Sequence, residues 1–370
     1  MKVLVVNPGS STIKLSLWNG NKRNLTSTVP FHDRSELLEK AISDSFSALS
    51  ASLPEALGVR VVHGGAALGD PVLVGDGTLE VLEDLRPLSP LHTDGAIRTI
   101  NALKHTFPGC PIVLSFDTAF HKTLPAISIR YPVPDLWFQD YGVRRYGFHG
   151  LSYDYISHRL REIFKPEEIE RTVALHLGNG ASACAIHSGI SVDTTMGLTP
   201  MEGLMMGTRS GSIDPGIPFY LGTKGLSSEE IEQDLNHRSG LLGVSGLDSD
   251  LIVLEKAFHS GNSAAGLALS MFARKAAQSV AQMATSMGGL SCLVFSGGIG
   301  ENSSLMRDWI ARDLGFLGVA LDSGKNLESL DTSSEKMISQ IGSRVSVVII
   351  ATQEDWTISR DTHLVLGHSF

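Results

Sequence analysis

Cysteine is scarce in this chain of 370 residues, and the little there is makes no pattern. Cys110, Cys184 and Cys292 stand far apart, each beside apolar residues, without the CxxC spacing that zinc or redox chemistry uses. Buried free thiols in a reducing cytoplasm are expected. The 13 histidines include no HxxxH or HExxH pair, so zinc hydrolysis is not expected. No GxxxxGK(S/T) run occurs, which removes the commonest nucleoside-triphosphatase loop. Basic residues form no stripe and the formal charge is −9, so a nucleic-acid partner is not expected. Long apolar runs are absent as well: the run between Lys2 and Asn7 is only four residues, too few for a signal-peptide core, and nothing approaches a membrane span. The expectation is a cytoplasmic protein with no membrane partner.

Glycine, by contrast, is plentiful, with 38 residues against 15 prolines, and it falls at the ends of apolar runs. With 42% apolar residues the chain can bury two cores, and at this length two domains are expected. Residues 3–6 are closed by Asn7, Pro8 and Gly9 and lead into residues 13–18, where Ile13, Leu15 and Leu17 alternate with other residues. That spells a strand, a tight turn and a returning strand. Residues 172–175, the turn from His176 to Gly180, and residues 181–186 repeat the layout. Laid over each other, residues 3–20 and 172–189 match without a gap, Gly9 falling on Gly178 and Gly20 on Gly189, which points to internal duplication. Further apolar strands at 112–116, 292–295 and 345–350 also end in small or polar residues. Amphipathic stretches at 35–49, 95–105, 151–164 and 263–287 alternate with them, giving an α/β class whose ligands gather beyond the carboxyl ends of strands.

The polar clusters fall at those ends. A phosphate is bound by backbone N–H groups that approach closely, and a turn of glycine with serine or threonine offers such donors together with hydroxyls. Asn7, Gly9, Ser10, Ser11, Thr12 and Lys14 meet that need, although an ordinary hairpin turn reads the same way. Gly178, Asn179, Gly180 and Ala183 spell GxGxxA, but a returning strand follows where the dinucleotide fingerprint requires a helix, so a nicotinamide cofactor is not expected. Arg60, followed by Val61, Val62, His63, Gly64 and Gly65, offers a guanidinium fork suited to a carboxylate or phosphate, and equally to a structural ion pair. Arg209, between Thr208 and Ser210, offers the same. Asp117, at the end of a strand, reads as a helix cap or, together with Glu354 at the end of another, as a holder of Mg²⁺, which takes a few carboxylates with waters and substrate phosphates. His149, just ahead of a helix, reads as a buried structural histidine or as a donor to phosphoryl oxygens that gain charge during transfer.

Taken in order, NPGSSTIK, RVVHGG, FDTAFH, YGFHG, HLGNGAS, DTTMGLTPMEGLMMGTRSG, SGGIGEN and TQED resemble the acetate kinase family, within the superfamily of sugar kinases, heat-shock chaperone ATPases and actin. The resemblance runs from Asn7 to Thr362. It implies two duplicated actin-like (ribonuclease H-like) domains with a cleft between them. Residues 1–117 with 355–370 would form the N-terminal domain, completed by a C-terminal helix, and residues 118–354 the domain that binds nucleotide and forms a homodimer. The implied reaction is a reversible, direct in-line transfer of the terminal phosphoryl group of ATP to acetate, giving acetyl phosphate and ADP, with Mg²⁺ or Mn²⁺. Asp117, His149, Arg209 and Arg60 match the family's catalytic residues. Arg60, Val62, Leu91, His92, Phe148 and Pro200 match its substrate site, where the apolar side chains limit acyl length. Asn7, Ser10, Thr12, Lys14, His176, Asn179, Gly180, Asp250, Gly298, Gly300 and Asn302 match its phosphate and nucleotide contacts. Asn7, Asp117 and Glu354 match its metal site.

Four departures qualify what is implied. The segment between Lys14 and Arg60 is shorter than in the family by roughly thirty residues, consistent with a trimmed surface hairpin. His92 is followed by Thr93 and Asp94 in place of asparagine and proline, which brings a negative charge toward the carboxylate. Ile252 stands where an arginine normally packs on the base, leaving pyrophosphate or another nucleotide open as phosphoryl partner beside ATP. Gln353 replaces an asparagine before Glu354. Propionate or butyrate as acceptor also stays open. A non-catalytic nucleotide-binding regulator is the reading from another class, and the retention of Arg60, Arg209, His149, Asp117 and Glu354 speaks against it.

Overall fold

The structure, a computed structural model, describes residues 1–9, 12–30, 35–49, 53–330 and 335–370. Strand β1 (Lys2–Pro8) is apolar on both sides because both sides are covered. Leu4 and Val6 enter one buried cluster with Ile13, Leu15 and Ile100, while Val3 and Val5 enter another with Trp18, Leu151 and Ile358. That split follows from the period of two along a strand.

β1 belongs to a six-stranded sheet with β2 (Thr12–Asn19), β3 (Lys22–Pro30), β4 (Ala56–Val61), β5 (Val72–Leu73) and β6 (Ile112–Phe116), in the order β3-β2-β1-β4-β6-β5. A second sheet contains β7 (Arg171–Leu177), β8 (Ala181–His187), β9 (Ile190–Thr194), β10 (Cys292–Ser296), β11 (Glu335–Met337) and β12 (Ser346–Ile350), in the order β11-β12-β10-β7-β8-β9. Read from its other end, the second sheet repeats the first strand for strand. β1 is antiparallel to β2 and parallel to β4, as β7 is antiparallel to β8 and parallel to β10. The duplication expected from two hairpins therefore extends to all six strands of each sheet.

The chain forms two compact units, residues 1–122, 148–155 and 353–370 in the first, 123–147 and 156–352 in the second. Residues 118–122 and 148–155 thus side with the first unit, unlike the division expected at Asp117. Long-range hydrogen bonds explain this: Gly150 N–H donates to the Asp117 carbonyl at 2.8 Å, and Thr357 Oγ1 donates to the Leu151 carbonyl at 2.9 Å. The last helix, Glu354–Val365, closes the face that holds Val3 and Val5. Its approach needs Gly58 on β4, where a Cβ would stand 2.5 Å from Thr362 Oγ1 and 2.7 Å from Ile358 Cγ2. Burying a side chain such as Ile358 there contributes roughly 1.5–3 kcal/mol.

Helices Ser35–Leu49 and Ser263–Met287 have the expected bounds, whereas the one expected from Gly95 begins at Pro90, whose fixed φ suits a first helical turn. Glu354 opens a helix instead of ending a strand, and the glycine-rich segment after β10 is a short helix, Gly297–Asn302, instead of a turn. All three cysteines are free as expected, but Cys110 is only half-buried, its thiol 3.6 Å from the Pro54 carbonyl. Among the described residues no helix is long and apolar enough to cross a membrane.

Candidate active site

In the first unit, parallel strands β1, β4 and β6 bring Asn7, Arg60 and Asp117 together at their carboxyl ends. Arg60 grips Asp117 with two bonds, Nε to Oδ1 at 2.9 Å and Nη2 to Oδ2 at 2.7 Å, the bidentate geometry that a guanidinium and a carboxylate share. Its Nη1 donates to Asn7 Oδ1 at 3.1 Å and lies 3.2 Å from Glu354 Oε2. Asn7 Nδ2 donates to Glu354 Oε2 at 3.1 Å and to Asp355 Oδ1 at 3.2 Å. Behind them Trp18 Nε1 donates to Ser16 Oγ and Ser16 Oγ to Asp355 Oδ2, each at 2.8 Å.

Three carboxyl groups thus share one guanidinium. Burial opposes the charge on Arg60, yet Asp117, Glu354 and Asp355 outweigh it and raise the guanidinium above its ordinary value. Burial likewise pushes the Asp117 carboxyl up, against the pull of Arg60. Asp355 is pushed up by burial too, against its bonds from Ser16 and Asn7.

His149 follows directly on this cluster, its backbone N–H bonded to the Asp117 carboxylate. Its φ of +57° is left-handed, a conformation that costs a non-glycine residue of order 1–3 kcal/mol and persists only where surrounding contacts enforce it. Those contacts are on both sides: Gly150 N–H bonds the Asp117 carbonyl, and Phe148 is buried with its carbonyl 2.9 Å from His121 Nε2 and its ring against His63 at 5.4 Å.

In the second unit, the turn after β7, the helix Gly297–Asn302 and the start of the helix Leu251–His259 line a cavity of about 560 Å³. Asn179, Asp250, Ile252, Gly298, Asn302 and Ser303 are among its walls. Asp250 caps its helix by accepting from Ile252 N–H at 2.8 Å. The segment that carries Arg209 is tied to the same turn, since Gly207 N–H donates to the Asn179 carbonyl at 3.0 Å. Arg209 Nη1 reaches only the Pro200 carbonyl, at 3.5 Å; burial lowers its pKa, and no carboxylate pairs with it among the described residues.

The sequence model of the Acetokinase family matches residues 19–360. The chain belongs to the acetokinase family. An acetate kinase from Shouchella clausii is 39% identical to it over 98% of each chain. The crystal structure of Porphyromonas gingivalis acetate kinase superposes with a TM-score of 0.89 at 35% identity, covering 99% of both chains. A propionate kinase from Francisella tularensis subsp. tularensis superposes with a TM-score of 0.89 at 33% identity, covering 98% of this chain and 99% of that one. Membership makes the chain a carboxylate kinase built from two actin-like domains.

Within this acetokinase-family chain the sequence-derived residues divide between the units. Asn7, Thr12, Lys14, Arg60, Val62, His92, Asp117, Phe148, His149 and Glu354 lie in the first, and His176, Asn179, Gly180, Pro200, Arg209, Asp250, Gly298, Gly300 and Asn302 in the second. Ser10 and the side chain of Leu91 lie outside the described residues. His176, Gly180 and Gly300 are not among the residues lining the cavity. Asp94 pairs with Arg86 at 3.1 Å, which offsets the negative charge expected to disturb the acceptor. Asp355 was missed, though it stands beside Glu354 in TQED, and so were Glu255 and Ser303 of the cavity wall.

A divalent cation fits the first cluster. Asp117, Glu354 and Asp355 exceed Arg60 in formal charge, and their burial makes any added positive charge favourable. Among the described residues no three His, Cys, Asp or Glu side chains form a metal cage.

Proposed function

We propose that this carboxylate kinase transfers the terminal phosphoryl group of ATP to acetate, reversibly and in line. The observation that carries the reading is Arg209, a desolvated guanidinium without a carboxylate partner among the described residues, on a segment hydrogen-bonded to the cavity-lining turn at Asn179. Such a fork is completed by an anion. The cavity itself, at about 560 Å³ and with Leu251, Ile252 and Ile299 in its walls, is far larger and more apolar than pyrophosphate needs and suits a nucleoside. Ile252, 59% exposed, offers an apolar face to a base where the family has a cation.

A carboxylate oxygen forms a bond to the terminal phosphorus as the bond to ADP breaks, giving an acyl phosphate with no net proton change. Arg209, Arg60 and a donor on His149 would absorb the charge that develops. Asp117 and Glu354, with Asn7 beside them, would hold Mg²⁺, which supplies neutralisation of the phosphate oxygens when bound. Phe148, buried, and Val62, half-buried, suit a short acyl group in the first unit.

Trapping acyl phosphate as hydroxamate, with acetate, propionate and butyrate against ATP and pyrophosphate, tests this. Acetate with ATP should give the highest turnover; no product from ATP with any acid would end the reading, and a preference for propionate would move the acceptor to the longer acid. A homodimer through the second unit completes the proposal, supported by Phe219 and Tyr220, 79% and 61% exposed on the helix Gly216–Gly222. Sedimentation at the mass of a single chain would rule that out.

A further inference from the structure

Arg307, on the helix Ser304–Asp313, is 2% exposed. Its guanidinium makes four hydrogen bonds, all to neutral acceptors. Nη1 donates to the carbonyls of Gly300 and Glu301, both at 2.9 Å, Nη2 to the carbonyl of Asn326 and Nε to Asn326 Oδ1, both at 2.7 Å. Asn326, itself 4% exposed, is fixed by donating Nδ2 to the Ser304 carbonyl at 2.9 Å. Burial pushes the guanidinium down to about 10, with Glu255 acting on it only through space.

A buried charge hydrogen-bonded only to carbonyls is costly, and an apolar side chain of like volume would fill the space more cheaply. What an apolar side chain lacks is the fork. Gly300 and Glu301 belong to the helix Gly297–Asn302, too short to hold itself and ending in carbonyls without helical partners. Arg307 takes two of those carbonyls. From the other side the Glu301 carboxylate accepts the N–H of Thr352 at 2.8 Å and that of Gly297. The wall of the cavity formed by Gly298, Ile299 and Asn302 is thus held at both ends.

We propose that Arg307 is a positioning residue for the phosphoryl donor: it fixes the helix Gly297–Asn302 in the form that receives the nucleotide, without touching a reacting atom. The inference rests on the nucleotide occupying this cavity.

Steady-state kinetics and equilibrium ATP titration test it in Arg307→Lys, which keeps the charge but not the fork, in Arg307→Met, which keeps neither, and in Asn326→Ala, which loosens the fork from behind. Arg360→Met, a partly buried arginine of the first unit, is the control for general loss of stability. KM and Kd for ATP should rise about tenfold or more in both Arg307 variants and about threefold in Asn326→Ala, with kcat and the acetate KM within about threefold. Arg360→Met should melt earlier yet keep its ATP KM. An ATP KM within twofold of the unsubstituted chain in either Arg307 variant, or an equal rise in Arg360→Met, overturns the positioning role. If neither Arg307 variant folds, Asn326→Ala decides alone, an unchanged ATP KM counting against the role. Failure of the unsubstituted chain to bind ATP, read first, would instead remove the nucleotide reading on which the role depends.

Discussion

Arg60 and Arg209 carry the same group in opposite surroundings. Asp117 and Glu354 already neutralise Arg60, whereas burial weakens the charged form of Arg209 with nothing to offset it among the described residues. A phosphoryl group gaining charge therefore has most to gain from Arg209. Arg209→Ala should lower kcat by about 10²-fold or more, and Arg209→Lys should recover only part of it because a point charge lacks the fork; single-turnover rates with ATP and acetate measure both. A second prediction concerns pH. Asp361, 5% exposed, is pushed by burial from 3.8 to about 6 despite Arg360 at 2.7 Å. A carboxyl raised on folding favours the folded state while protonated, so its contribution is present below about 4 and is lost as pH rises through about 6. At 1.36 kcal/mol per pH unit the loss approaches about 3 kcal/mol. Urea melts should therefore show Asp361→Asn gaining on the unsubstituted chain between pH 4 and 7; a constant or shrinking difference would refute this. Asn7, Arg60 and Asp117 were legible in the sequence because each stands near the end of an apolar strand. Arg307 was not: in SLMRDWIARD it reads as an ordinary polar position, and its burial depends on Asn326, which approaches only in the fold.

Among the elements, hairpins β1–β2 and β7–β8 could be read directly, since alternation and closing glycines both mark them. The helix Gly297–Asn302 could not. GGIGEN spells a turn by local preference, and the helix exists because Arg307 takes carbonyls at its end and Thr352 N–H holds its Glu301 carboxylate, both from elsewhere in the chain. The segment that carries Arg209 has a comparable outside support. Met206 N–H bonds the Arg209 carbonyl at 3.1 Å, and the pair sits against Gly240, whose φ is +62° and whose added Cβ would stand 2.2 Å from the Met206 carbonyl oxygen. Gly240→Ala should destabilise the second unit by about 1–3 kcal/mol and lower kcat through displacement of Arg209. Denaturant melts together with initial rates check this, and an unaltered kcat would free the segment from that dependence.

For the whole molecule, paired glycines revealed the duplication, but the division into units needed contacts that span some two hundred positions, such as Thr357 to Leu151. That pairing makes the last helix part of the first core. A chain ending at Thr352 should leave amides of residues 2–7 unprotected from hydrogen exchange, while β7 and β10 stay protected. Full protection of β1 in such a chain would show that the helix is dispensable. The same helix imposes an order on biosynthesis. At translation rates of about 5–20 residues per second, β1 leaves the ribosome roughly 20–70 s before the helix Glu354–Val365 exists to cover it. Throughout that interval Val3, Val5 and Trp18 have no Ile358 to pack on, so a strand made early waits for a helix made late before its core can close.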